Sequence, residues 1–148
     1  MEFLYYVILA LMAGACAPVQ AGINAQLKAV TGDAALAALI SFAVGTLALL
    51  VYALALRIPW PEGRAVFQIP WWMWTGGCLG AFLVVVSVIL AFELGASTML
   101  ALMIAGQMLT SLGLDHFGLV GYPEHPTTIW RFIGVVLLVA GVVLIRKF

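Results

Sequence analysis

The stretch from Trp71 to Asp115 reads WWMWTGGCLGAFLVVVSVILAFELGASTMLALMIAGQMLTSLGLD, and before its final aspartate it holds a single charged residue, Glu93. A bilayer core is about 30 Å thick and takes roughly 20 apolar residues of helix to cross. The run is too long for one crossing and long enough for two. The short turn Glu93 to Gly95 divides it, so the expected spans are about 71 to 92 and 96 to 114, paired as a hairpin.

Working outward, three more apolar runs of spanning length lie at about 3 to 27, 34 to 56 and 129 to 145. The chain has 148 residues, 66% hydrophobic and 8% charged, a balance that excludes a soluble globular domain. The connection Arg57 to Pro70 contains Pro59, Pro61, Gly63 and Pro70, and Asp115 to Thr128 contains Gly118, Gly121, Pro123 and Pro126. Neither can carry a helix through, and both read as exposed or interfacial loops. Lys28 to Asp33 is a short turn that makes a hairpin of the first two spans. The fold expected is an all-α membrane protein with five transmembrane helices in a single domain, residues 1 to 148, in the plasma (inner) membrane. No soluble catalytic domain fits in these loops, and no nucleophile, base and orienting group occur together.

Ala13-Gly14-Ala15 before Cys16 faintly resembles a lipoprotein processing site. The amino end Met1-Glu2-Phe3 has no lysine or arginine, however, and the apolar run continues beyond Cys16, which argues against cleavage. Cys16 and Cys78 fall inside expected spans, where cysteine acts as a small hydrophobe, and no disulfide is expected.

With five spans, the amino-terminal side of the membrane carries Arg57, Arg64 and Arg131, and the opposite side carries Lys28, Arg146 and Lys147. Orientation follows a difference in positive charge between the two sides, and here there is none. The aromatics are uneven: Tyr5, Tyr6, Tyr52, Trp60, Trp71, Trp72, Trp74, Tyr122 and Trp130 all lie toward the amino-terminal side, leaving only Phe92 and Phe148 near the other. Tryptophan and tyrosine normally belt both interfaces. Two copies inserted in opposite directions would give each leaflet a full belt. The expected partner is therefore a second copy in opposite orientation, an antiparallel dual-topology homodimer whose inverted two-fold symmetry is the geometry of alternating-access transporters.

Four stretches carry a resemblance over essentially the whole chain: Pro18-Val19-Gln20-Ala21-Gly22-Ile23-Asn24, Ile40-Ser41-Phe42-Ala43-Val44-Gly45, Trp71-Trp72 leading to Gly76-Gly77-Cys78-Leu79-Gly80, and Gly106-Gln107 through Leu114-Asp115-His116-Phe117-Gly118. They resemble the family called domain of unknown function 606, a five-span branch of the drug/metabolite transporter superfamily related to the small multidrug resistance proteins. The resemblance implies transport by homodimers of dual topology, by oppositely oriented pairs of different chains, or by fused chains. The even charge count favours the first. The small multidrug resistance relatives place an essential glutamate in mid first span, whereas Ala13-Gly14-Ala15 here has no acid, so that proton-antiport centre is not carried over.

Polar groups in hydrocarbon are costly and point to bundle interiors or cavities. Gln20 and Asn24 share a helix face in span one, and Pro18 nearby can free backbone carbonyls. In span four Gln107, Ser111 and Asp115 repeat at four-residue spacing, with Thr110 beside them. One reading makes Gln20, Asn24, Gln107 and Ser111 a substrate site facing across the dimer. The other makes them interhelical hydrogen-bonding glue, at roughly 1 kcal/mol each. Ser41, Thr46 and Ser87 suit bonding to their own helix backbone. Asp115 and His116, at the end of span four, read either as solvated capping residues or as a coupling or gating pair. Glu93 reads as an interfacial charge. His116, Glu124 and His125 lack repeated ligand spacing, and no metal or cofactor is expected.

Gly76 and Gly80 make a Gly-x-x-x-Gly pair for close helix approach, echoed by Ser41 and Gly45, and Gly134 with Gly141 keeps one face of span five smooth for a partner helix. The function expected is transmembrane movement of a small-molecule substrate by alternating access. A dual-topology channel and a non-transporting assembly subunit are the rivals. The lipid bilayer is the surrounding medium, and nucleic acid is not an expected partner.

Overall fold

Helix length in this chain is set by backbone hydrogen bonding, since hydrocarbon offers no other partner to an amide or carbonyl group. The computed structural model describes residues 2–61 and 63–147. Phe148, counted above toward the far side, lies outside the described residues. Five α-helices follow in order: α1 (Glu2–Thr31), α2 (Ala34–Ala55), the single turn α3 (Gly63–Phe67), α4 (Thr75–Phe117) and α5 (Ile129–Lys147), with 3₁₀ turns at Trp71–Trp74 and Leu119–Gly121. Four of them, all but α3, are long and apolar enough to cross a membrane.

α1 runs to Thr31, about a turn beyond the expected end of span one near residue 27. Its stop is local: Gly32 takes φ +81°, and its N–H donates to Lys28 O at 2.8 Å. Asp33 then caps α2, its Oδ1 accepting from Ala35 N at 2.7 Å and Leu36 N at 3.2 Å. Two residues therefore do the work allotted to the whole turn Lys28 to Asp33. Thirty residues of α1 rise about 45 Å, more than the bilayer core, so α1 tilts or emerges from it.

α2 ends in a Schellman motif. Ile58 N–H donates to Ala53 O at 3.0 Å and Arg57 N–H to Leu54 O at 3.1 Å, with Arg57 at φ +52° in the position glycine usually takes. The loop Arg57 to Pro70 carries the turn α3, and the 3₁₀ turn after it is closed by Thr75 Oγ1 donating to Trp72 O at 2.6 Å.

The chain divides into two compact units, Met1–Glu93 and Leu94–Phe148. In the first, α1 and α2 are the closely packed pair. Their buried residues gather at the turn end, Ala21, Asn24 and Ala25 on α1 with Ala34, Ala37 and Ala38 on α2. Between lipid-soluble helices there is no hydrophobic drive, and small residues permit the close approach on which dispersion depends. Gly80 serves the same end, since a β-carbon there would lie 3.6 Å from the Phe42 ring, whereas Gly76 has nothing within 4 Å. Ser87 Oγ donates to Val84 O at 2.8 Å, bonding its own helix. In the second unit Ala101, Ala105 and Val142 form the core, with Leu138 against it. Most large apolar side chains of both units are exposed, which suits a lipid solvent.

α4 covers both stretches expected as separate spans. Its 43 residues include one with non-helical dihedrals, Gly95, at φ +74° and ψ +161°. That region is open essentially to glycine alone. Nothing lies within 4 Å of the place a β-carbon would occupy at Gly95 or at the helical Gly106, so substitution isolates the backbone effect. Gly95→Ala is expected to destabilise the protein by about 1–3 kcal/mol, and Gly106→Ala to leave stability unchanged or raise it by up to about 1 kcal/mol. Thermal unfolding in detergent checks both; equal effects would mean that Gly95 is not conformationally special.

Candidate functional site

Among the described residues, each unit has a pocket with polar side chains in its lining. In the first unit the α1–α2 seam is closed near the turn and opens further along. There Gln20, Ser41, Phe42, Gly45, Thr46 and Leu49 line a cleft of about 220 Å³. Ser41 and Gly45, expected as a close-packing pair, face this open space, and Gly45 has nothing within 4 Å. Gln20 is exposed, but Asn24, one turn away on the same face, is 3% exposed. The Asn24 Nδ2 has no hydrogen-bond partner among the described residues. An unsatisfied buried donor costs about 1–3 kcal/mol, so this amide has capacity that the single chain does not use.

The second pocket, about 390 Å³, lies between the end of α4 and the start of α5. Its lining is Met108, Ser111, Leu112 and Asp115 from α4 with Arg131, Gly134 and Val135 from α5. Gln107, one turn before Ser111, is exposed and lies outside this lining. Gly134 has open space within 4 Å, as does Gly141, which lines a separate apolar groove with Ala101, Ile104, Leu138, Val142 and Ile145.

Asp115 and His116 do not face one another. Adjacent helical residues project about 100° apart, and each finds its partner across the loop. Asp115 Oδ2 lies 3.6 Å from Arg131 Nη1, with the two side chains 38% and 40% exposed. His116 Nδ1 accepts from Thr127 N–H at 3.0 Å, which requires that nitrogen to be unprotonated. Around them the loop folds back on the helix end. Gly118 takes φ +58°, His125 N–H donates to Asp115 O at 2.7 Å, and Arg131 Nη1 donates to His125 O at 3.3 Å. Val120 at φ +57° is a strained β-branched residue within this turn. Asp115, His116, Thr127 and Arg131 thus form a knot that ties α4 to α5. Arg131 was absent from the expected site; its signal in the sequence was an acid closing one span and a base opening the next across a Gly/Pro loop.

Among the described residues no cluster of three or more histidine, cysteine, aspartate or glutamate side chains could hold a metal. Cys16 and Cys78 are free and exposed.

Residues 5–144 match the family described as "Putative inner membrane exporter, YdcZ". The chain belongs to the YdcZ family. A stretch of 85 residues is 33% identical to the inner membrane protein YdcZ of Escherichia coli (strain K12), covering 57% of this chain and 56% of that protein. The match therefore spans little more than half of either protein. No solved structure matches. The chain is a multi-pass inner-membrane protein in a family of drug/metabolite-transporter type, and its apolar helices fit that setting.

Asn24 and His116 form a test pair, one unsatisfied and one satisfied. His116→Ala leaves the Thr127 N–H without its acceptor and is expected to lower stability by about 1–2 kcal/mol. His116→Asn, whose side-chain oxygen reaches the same place as Nδ1, should recover most of that loss. Asn24→Ala removes an orphan donor and is expected to leave stability unchanged or raise it, by up to about 1–3 kcal/mol less the packing lost with the side chain. Thermal unfolding of the three variants decides the matter: a large loss at Asn24 would mean that its amide is bonded in the assembled protein and acts as glue.

Proposed function

We propose that this YdcZ-family protein is a small-molecule exporter that works by alternating access as a homodimer of oppositely inserted copies. The observation that carries the reading is the glycine-only backbone at Gly95. An unbroken helix of 43 residues would rise about 64 Å, twice the bilayer core. If the chain reverses at Gly95, each part crosses once and the protein has five spans. An odd number puts the termini on opposite sides.

On that topology the three arginines of the amino-terminal side balance Lys28, Arg146 and Lys147, and the chain has no preferred orientation. Arg57 bears on this directly. It occupies a left-handed position where glycine would be cheaper by about 1 kcal/mol, and its charge is one of the three. The resemblance to the five-span family called domain of unknown function 606 points the same way. In this reading the cleft at Gln20, Ser41 and Thr46 and the stripe Gln107, Ser111 and Asp115 supply the polar surface along which cargo moves, and the orphan amide of Asn24, buried in the α1–α2 seam, joins it when the two helices part. Asp115 and His116 act in gating through their ties to Arg131 and Thr127, since breaking those ties would release α4 from α5. Cargo bound at the repeat interface would be exposed to each side in turn as the two copies rock.

Orientation is the first test. A single cysteine at Gly63, or one appended to the carboxyl terminus, in a background lacking Cys16 and Cys78, is labelled in intact cells with a membrane-impermeant thiol reagent. About half of each is expected to react. Arg57→Gly removes one positive charge from the amino-terminal side and should move the labelling at position 63 above one half, toward the outside. Full or absent labelling in the parent chain would overturn dual topology and direct attention to a different, oppositely oriented partner.

A further inference from the structure

We propose that the pocket between the end of α4 and the start of α5 is a binding site for an amphiphile bearing an oxyanion, with Arg131 as the residue that grips it. The guanidinium of Arg131 has five N–H donors in a planar fork. Its hydrogen bond to His125 O and its approach to Asp115 both come from Nη1. The edge formed by Nε and Nη2 makes no hydrogen bond among the described residues, and that is the edge by which arginine takes a carboxylate or phosphate in two parallel bonds.

Asp115 does not fill this role. At 3.6 Å it lies beyond the roughly 2.7–2.9 Å of a charge-assisted hydrogen bond, and it is pinned to the loop through its own carbonyl, which accepts from His125 N–H. The carboxylate lowers the cost of keeping the guanidinium at a lipid-facing helix end while leaving its binding edge open. The remaining wall is mostly apolar: Met108, Leu112 and Val135 beside the Ser111 hydroxyl, with Gly134 contributing no side chain. A cavity of about 390 Å³ is in the range that takes a small ligand. A charged grip above an apolar floor fits a molecule with an anionic head and a short hydrocarbon or aromatic body. The inference concerns binding alone and does not depend on dual topology or on transport.

The probe is 4-phenylbutyrate, titrated calorimetrically into the purified full-length protein in a neutral detergent, with 4-phenylbutanol and 4-phenylbutylamine as controls. Saturable binding of the carboxylate and none of the amine is expected. Arg131→Gln should weaken it about tenfold or more, and Arg131→Lys, which keeps the charge but loses the fork, should fall between. Asp115→Asn removes the neighbouring carboxylate and should tighten binding several-fold, a gain that misfolding cannot imitate. A lipid headgroup and a free solute are then separated by competition. Displacement of the probe by phosphatidylglycerol but not by phosphatidylcholine would support a headgroup phosphate as the natural oxyanion. Lack of displacement by either would support a soluble carboxylate. Absence of saturable binding, equal binding of the amine, or no gain in Asp115→Asn would overturn the proposal.

Discussion

In hydrocarbon a backbone amide or carbonyl without a partner costs several kcal/mol, and the whole architecture answers to that constraint. It explains why the chain is helix almost throughout, and why each departure from helix is built from explicit hydrogen bonds. At Gly32 and Asp33 the end of α1 and the start of α2 are closed within two residues. At Arg57 both bonds of the Schellman motif are made. At the end of α4 the loop 118–128 returns to cover the last turn, with His125 N–H on Asp115 O and Thr127 N–H on the His116 ring. Gly95 is the exception in kind, a single residue in a conformation closed to side chains within an otherwise helical run.

The same solvent changes what packing means. Lipid tails are as apolar as leucine, so burying leucine between helices gains little, and the buried apolar set is mostly alanine, with Met99 and a few valines. The Ala21–Ala25 and Ala34–Ala38 seam brings α1 and α2 close near their turn, and their separation further along leaves the cleft at Gln20, Ser41 and Thr46. A hairpin tight at one end and open at the other is a simple way to hold polar side chains at membrane depth without sealing them from a ligand.

Much of this was legible in the sequence because membrane spans announce themselves by length and composition. Proline and glycine marked both long loops, and Gly95 fell within the turn expected at Glu93 to Gly95. The end of α1 was less legible because Lys28 suggests an exit from the bilayer, yet a helix stops where its hydrogen bonds are capped and not where lipid ends; Gly32 and Asp33 do the capping. Asp115 and His116 looked like a pair because they are neighbours in sequence. Helical geometry separates neighbours, and the partners that matter, Arg131 and Thr127, lie across a loop whose path depends on positive φ at Gly118, Val120 and Gly121. No periodic pattern records such a path.

A fold that satisfies its polar groups so thoroughly at helix ends makes the unsatisfied ones informative. Asn24 is buried with a free Nδ2, and Arg131 keeps one edge of its guanidinium open although its other side is held by His125 and Asp115. Neither the free amide nor the open edge helps a single chain to fold: an alanine would suit the α1–α2 seam at position 24, and the ties of Arg131 to His125 and Asp115 use Nη1 alone. Helix caps and loop contacts close on themselves, whereas these two groups keep unused hydrogen-bonding capacity, Asn24 inside the α1–α2 seam and Arg131 at the pocket between α4 and α5. In the proposed reading, that capacity is met by something that arrives: a second chain, a lipid headgroup or a passing solute. On that reading the fold and the site follow from one rule, with the helices obeying it internally and these two groups obeying it once a partner is bound.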